Sequence, residues 1–317
     1  MSVPGVLLGR PVDSHRQLLV LAACSIATER RRRLKFAPMI AILAVFGQAT
    51  AQVFDSHVHL WHGEQSLLEY EKQAKDTGEI GFAGMWFGGP NQALSGDPAA
   101  ISANNDAQLA LARKHPEMVP VATVHPYDGE AALEEVARVA LLGFKVLKLH
   151  PHTQKFDPVD PRVLDVVKRA GNNGMIVLID NADIIPGDCE KLFNLALLAP
   201  KTTFIFAHLG ATNFRFWNIL KLARTAQGVF AENIFFDISA SVTLFASSPV
   251  EPEFIWTMRN VGVDHILLGS DYPQFTLAQT LAAFDKLNLT SDEKSAIRFR
   301  NAQKLFGLRV RQTTQSP

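Results

Sequence analysis

The chain has 317 residues, 47% of them hydrophobic and 20% charged. That composition excludes a disordered or fibrous protein and leaves room for one large domain or two small ones. Formal net charge is zero, yet the first 51 residues hold 7 of the 31 basic residues and only 2 of the 31 acidic ones, so the rest carries 24 against 29. An acidic body lacks the basic stripe that a nucleic-acid partner requires.

The N-terminal segment reads as a targeting sequence. Arg30 to Arg33 and Lys35 form a basic block, Ala37 to Phe46 is a short apolar run, and Ala49-Thr50-Ala51 supplies small residues ahead of Gln52. This is the order of a secretory signal, and the run is too short to span a bilayer. Residues 1–51 are therefore expected to be a leader and signal peptide, and the mature body an exported, periplasmic protein with no stable membrane insertion. Leu21 to Cys24 is similar to a lipoprotein cleavage site, but the basic block that follows argues against that use. With Cys24 removed, Cys189 stands alone as a semi-buried helix residue, and no intramolecular disulfide is expected.

From Val53 onward one unit repeats: a short apolar run, a loop, then a helical pattern. The expected strands are Val53–Leu60, Phe82–Gly88, Met118–Val124, Val146–His150, Met175–Asp180, Thr203–Gly210, Ile234–Ser239 and Ile266–Asp271. Helical stretches between them include Glu130–Leu142, Pro161–Ala170, Phe214–Thr225 and Leu277–Leu287. Alternation of this kind implies parallel pairing, and eight units over about 255 residues fit a closed (β/α)₈ TIM barrel, an α/β fold. An open doubly wound sheet is the alternative, weakened because no Gly-x-Gly-x-x-Gly follows the first strand. Thr290 and Glu293 form a capping box at the last helix. The domain is expected over 52–310, with a polar tail at 311–317.

In a parallel barrel the C-terminal strand ends converge on one mouth, where active sites sit. Polar residues end these apolar runs with regularity. His57 and His59 end the first strand on one face, where two imidazoles chelate one ion, and Asp55 is expected beneath them on that face. His125 follows strand 3. Strand 4 carries Lys148 and His150, with His152 just beyond, and strands 5, 6 and 8 end at Asp180, His208 and Asp271. A carboxylate such as Asp271 after a buried strand is costly unless paired or metal-bound. Lys148 and His150 share a face, and the lysine there suits a substrate anion. Arg215 is a second candidate anion clamp, and Phe87 to Asn91 and Phe214 to Trp217 are candidate mouth-lining residues.

The runs Phe54-Asp55-Ser56-His57-Val58-His59-Leu60, Lys148-Leu149-His150-Pro151, Ala207-His208-Leu209-Gly210 and Gly269-Ser270-Asp271-Tyr272-Pro273 resemble the amidohydrolase superfamily, more narrowly its amidohydrolase-related branch. Asn301 to Leu308 is similar to that branch's closing helix. The resemblance implies a divalent ion, usually zinc, held by the two strand-1 histidines, a strand-5 histidine and the strand-8 aspartate, with the strand-6 histidine assisting catalysis. Here Asp180 stands where the strand-5 histidine is expected. Three readings stay open. Asp180 is itself a metal ligand and favours manganese; or His125, His150 or His152 supplies the imidazole; or the metal site is degraded.

The function expected on this basis is hydrolysis of an ester, lactone or amide of a small molecule by a metal-activated water. In that scheme Asp271 is general base, His208 assists, Lys148 and His150 bind substrate, and His57, His59, Asp180 and Asp271 hold the metal. A non-oxidative decarboxylase is the first alternative, and a non-catalytic barrel the second. A homo-oligomer is compatible with the sequence and not required by it.

Overall fold

The computed structural model describes residues 51–225 and 232–308. The expected leader up to residue 50 and the tail at 311–317 lie outside the described residues. Among the described residues, no helix is long and apolar enough to cross a membrane.

Eight parallel strands run in sequence order around the sheet: β1 Val53–His59, β2 Glu79–Met85, β3 Met118–Thr123, β4 Val146–Leu149, β5 Ile176–Ile179, β6 Thr203–Phe206, β7 Ile234–Asp237 and β8 Ile266–Leu267. The ring closes through the segment that follows β8. Ser56 N–H donates to Leu268 O at 3.0 Å, Asp271 N–H to His57 O at 2.9 Å and His59 N–H to Tyr272 O at 2.8 Å. The fold is a (β/α)₈ barrel.

Two apolar layers follow from the two faces of each strand. Phe54, Val121, Val146, Ile176, Leu178, Ile205 and Leu267 belong to the inner core. Leu147, Leu149, Val177, Ile179, Phe204 and Phe206 belong to the layer between sheet and helices. The helix Pro161–Asn172 shows how that outer layer is supplied. Asp160 caps it by accepting from Arg162 N–H, Pro161 sits in its first turn, and Val163, Val166, Val167 and Ala170 are buried. Each such valine contributes about 1.5–3 kcal/mol on burial. At the N-terminal end of the barrel, Phe299, Ala302 and Phe306 of the closing helix join the inner core, with the Phe54 and Phe306 rings 5.3 Å apart.

Several boundaries differ from the sequence expectation. β2 begins and ends three residues early, at Glu79 and Met85, while the 3₁₀ segment Ala207–Asn218 takes the first part of the helix expected over Phe214–Thr225, which is α-helical over Ile219–Ala223. The sixth and eighth apolar runs stop being strand before their polar residues. His208 and Leu209 have φ of 62° and 48°, and Asp271 has φ of 63°. These left-handed conformations cost side-chain-bearing residues of order 1 kcal/mol or more and concentrate at functional sites. The helix Glu130–Leu142 and the Thr290–Glu293 capping box are as expected.

One facing assignment is corrected. Between Asp55 and Val58 the β1–β2 register shifts, because β1 advances three residues while β2 advances two. The bulge breaks the alternation, so Asp55 does not lie beneath His57. Its carboxylate accepts instead from Tyr70 Oη at 3.2 Å, Ser270 N–H at 2.8 Å and His57 N–H at 3.2 Å.

Candidate metal centre

His57, His59 and Asp271 converge at the mouth. Each offers one donor atom, and the three atoms lie within 4.8 Å of one another with all three residues buried. His57 Nε2 is 3.2 Å from His59 Nε2, and Asp271 Oδ1 is 3.5 Å and 3.4 Å from those two nitrogens. Three donors around one tetrahedral ion at bond lengths near 2.1 Å sit roughly 3.4 Å apart.

Hydrogen bonding on the far side of each ring decides which nitrogens face inward. His57 Nδ1 is 3.0 Å from Asp237 Oδ2, and His59 Nδ1 is 2.7 Å from Phe87 O. Both partners are acceptors, so both rings carry their proton on Nδ1 and present a bare Nε2. Two imidazole lone pairs and a carboxylate oxygen facing one another repel unless a cation lies between them. The residues therefore fit a divalent transition ion. Burial, then the nearby Lys148 charge, lowers the His57 pKa to about 4, which keeps that ring neutral and able to ligate.

Two site residues with left-handed backbone, Asp271 and His208, are held by neighbours. Asp271 N–H is tied to His57 O, and His208 N–H donates to Asp237 Oδ1 at 3.1 Å. The His208 ring stacks on His57 with centroids 5.2 Å apart. Its Nδ1 lies 3.0 Å from Ser239 O and its Nε2 lies 3.1 Å from Asp180 Oδ1. With an acceptor at each nitrogen, the ring is satisfied only as an imidazolium. Burial opposes that charge, but the Asp180 hydrogen bond and the Asp271 and Asp237 charges outweigh it and raise the pKa to about 9.

Asp180 belongs to the His208 side of the mouth. Its Oδ1 contacts His208 Nε2 and lies 3.6 Å from His150 Nε2. Burial alone would raise its pKa, but His150, His208 and Lys148 hold it well below the carboxylate range. Lys148 is among the largest fully buried side chains, and its Nζ lies 3.2 Å from His57 Nε2. Burial lowers its pKa against the opposing charges of Asp180, Asp237 and Asp271. An ammonium and a metal ion cannot share one lone pair, so ion binding opens this contact or meets Lys148 as its neutral amine.

The other histidines separate. His125 Nε2–H donates to Gln154 O at 2.6 Å and its Nδ1 accepts from Tyr127 N–H at 3.0 Å, which leaves neither nitrogen for an ion. His152 pairs with Asp188 at 2.8 Å. Only His150 of the three candidate imidazoles stays near the mouth, with its ring edge-on to Phe87 at 6.4 Å. Phe214 and Trp217 are buried among Phe245, Phe254, Phe206 and Phe236 and are packing residues, a correction to the expected mouth lining. Arg215 is likewise no anion clamp here, since its exposed side chain pairs with Glu253. Cys189 is fully buried, and burial raises its thiol pKa.

Sequence reasoning missed Asp237 and Ser239, which end the seventh run, Ile234 to Ser239. The signal was available, because they are polar residues closing an apolar strand, as Asp180 does on β5.

An eight-stranded parallel barrel with histidine and aspartate donors gathered at its C-terminal mouth defines a metal-binding barrel of the enzyme type. A model of the amidohydrolase family matches residues 54–308, and the chain belongs to that family. No curated protein sequence matches the chain significantly. Solved structures share the fold at low identity. A 5-carboxyvanillate decarboxylase from Novosphingobium aromaticivorans, complexed with manganese and a nitrobenzoic acid, aligns with TM-score 0.63 at 16% identity over 83% of this chain and 97% of that one. The 2,6-dihydroxybenzoate decarboxylase from Rhizobium aligns with TM-score 0.61 at 15% identity, covering 81% and 98%. A proposed 2-pyrone-4,6-dicarboxylic acid hydrolase from Pseudomonas putida aligns with TM-score 0.58 at 18% identity, covering 82% and 99%.

Proposed function

We propose that this chain is a metal-dependent, non-oxidative decarboxylase of a small aromatic or unsaturated carboxylic acid. The observation that carries this reading is His208, whose two ring nitrogens both face acceptors beside the candidate metal ligands. Such a ring is a proton donor. The pKa of about 9 keeps it charged at neutral pH.

A divalent ion on His57, His59 and Asp271, with manganese the first choice and zinc the second, supplies positive charge that holds and polarises the substrate's oxygen atoms. Lys148 and His150 then orient the substrate anion. His208 delivers its Nε2 proton to the carbon that bears the carboxylate, the carbon–carbon bond breaks, and its electron pair stays with the protonated carbon as carbon dioxide leaves. Asp180 steadies the imidazolium before transfer, and His208 regains a proton from solvent. Asp271 Oδ1 faces the Nε2 atoms of His57 and His59 at 3.5 Å and 3.4 Å, which suits a ligand rather than the free general base that hydrolysis demands. Those decarboxylases among the structural neighbours support the same choice.

Hydrolysis of a lactone or ester is the second reading, favoured by the resemblance to the Pseudomonas putida protein. Incubation of the manganese-loaded protein with hydroxylated benzoates and with unsaturated lactones separates the two. Carbon dioxide release that falls about 10²–10⁴-fold in His208→Gln supports decarboxylation. Ring opening to a new carboxylate without carbon dioxide overturns it. From the basic block, the apolar run and Ala49-Thr50-Ala51 we further propose export, to be tested by sequencing the N-terminus of the protein recovered from the periplasm.

A further inference from the structure

The two histidines of the candidate centre are backed by acceptors of different kinds. Behind His57 stands the buried carboxylate of Asp237, whose Oδ1 accepts from Ser239 N–H at 3.0 Å and His208 N–H at 3.1 Å while Oδ2 faces the ring. Behind His59 stands a backbone carbonyl, Phe87 O at 2.7 Å, in the loop that follows β2. The group behind a ligating histidine sets its tautomer and ring orientation. A loop carbonyl is fixed only as well as its loop, so something must hold Phe87 in place.

The four residues after Phe87 close on themselves. Gly88 N–H donates to Asn91 O at 2.9 Å and Asn91 N–H to Gly88 O at 3.0 Å, with Gly89-Pro90 as the tip of the turn. The Asn91 amide then ties this turn to two strand ends. Its Nδ2 donates to Trp61 O at 2.8 Å, beyond β1, and to Trp86 O at 3.0 Å, beyond β2. Both of its hydrogens are thereby used on carbonyls that flank His59 and Phe87 in the chain. Gly88 lets the turn come this close. A Cβ on it would fall 2.7 Å from both Nδ1 and Cε1 of His59, and its φ of 111° disfavours a side chain in any case.

We infer that Asn91 is a positioning residue for the metal centre: by clamping the Gly88–Asn91 turn between the ends of β1 and β2, it holds Phe87 O behind His59 and so keeps His59 Nε2 bare and turned to the ion. Asn91 touches neither the ion nor the substrate and acts through His59. The inference rests on the metal-centre reading above. Farther along the loop, Gln154 Nε2 donates to Ala93 O at 3.4 Å and Gly96 N–H donates to Asp128 Oδ1 at 2.7 Å. Those anchors survive a change at position 91, which confines its effect to the turn.

Asn91→Asp is the sharpest test, because it keeps the shape of the side chain and sets a carboxylate against two carbonyl oxygens. Manganese is titrated calorimetrically into metal-stripped full-length wild type, Asn91→Asp, Gly88→Ala and, as a control from the exposed part of the same loop, Gln92→Ala, with thermal melts confirming that each is folded. Asn91→Asp is expected to bind about 10–100-fold more weakly than wild type, and Gly88→Ala to fall at the upper end of that range. Gln92→Ala should bind as wild type does. Binding by folded Asn91→Asp as tight as wild type overturns the inference, as does an equal loss in Gln92→Ala. Nitrogen-15 imidazole shifts of the metal-stripped proteins give a readout that general loosening of the fold would not produce. His59 is expected to carry its proton on Nδ1 in wild type and to divide it between both nitrogens in Asn91→Asp, while His57, backed by Asp237, stays protonated on Nδ1 in both. His59 protonated on Nε2 alone in wild type, a result that needs no variant, also overturns the inference. Wild type that takes up no manganese overturns the metal reading instead, an outcome distinct from an unchanged His59 tautomer in Asn91→Asp, which overturns the role of Asn91.

Discussion

Each end of the barrel gathers titratable groups, and the two gatherings differ in how they are held. At the N-terminal end Glu71, His115 and Glu117 also bring donor atoms within 4.8 Å of one another. His115 Nδ1 is 3.4 Å from each carboxylate, but the side chains are 40%, 21% and 34% exposed. Water solvates these groups, and their pairing is worth little. At the mouth the side chains of His57, Asp237 and Asp271 are 1%, 0% and 5% exposed, and each histidine of the candidate centre is locked by a specific acceptor behind it. Proximity is common to both ends. Desolvation and a fixed tautomer belong to one, and these make a ligand set out of a cluster.

The largest expected effect comes from breaking the mouth. His57→Ala or Asp271→Ala should lose the tightly held ion and lower turnover by about 10³-fold or more, read by metal analysis and by product formation. A folded variant with full metal content would remove these residues from the ligand set. Asp180→Ala comes next. It should retain the ion while turnover falls by about 10²–10⁴-fold, because the imidazolium loses its partner rather than the metal its ligand. Metal loss in that variant would instead make Asp180 a ligand, and Asp180→His would then be expected to rebind it. Lys148→Met should bind manganese more tightly than wild type, since it removes the ammonium that competes for His57 Nε2, while the substrate KM rises. Weaker binding would mean that the lysine helps to hold the ion.

Smaller effects belong to the other end. Burial, then Asp55, Glu117 and Glu71, push the Glu79 pKa up from 4.5 to about 7. Between those values the folded protein keeps a proton that the unfolded chain releases, so this residue makes stability fall as pH rises through that window. Glu79→Gln should therefore gain Tm over wild type, and the gain should grow from pH 5 to pH 8. Parallel Tm–pH curves for the two proteins would refute this. His115→Ala should change stability by no more than about 0.5 kcal/mol and leave metal content untouched.

Much of this molecule was legible in its residues. Alternating apolar runs and helical stretches specify a barrel because parallel strands need helical crossovers. The polar residues that end the runs mark the mouth because barrel strands deliver their last side chains there. His57, His59 and Asp271 could be read in this way, as could the general place of Lys148, Asp180 and His208.

Other features depended on contacts between strands distant in sequence. The bulge that turns Asp55 away from His57 is a matter of β1–β2 register, which no local pattern encodes. His125 and Arg215 lost their candidate roles to Gln154 O, Tyr127 N–H and Glu253, partners that only folding brings near. Asp237 acquired its role because β7 lies 180 residues from His57 in sequence and 3.0 Å from it in space. The sequence by itself determined the barrel and the kinds of group at its mouth, since periodicity and strand-end chemistry are local. Tertiary structure decided which nitrogen each histidine turns inward, because a tautomer is set by the acceptor packed behind the ring.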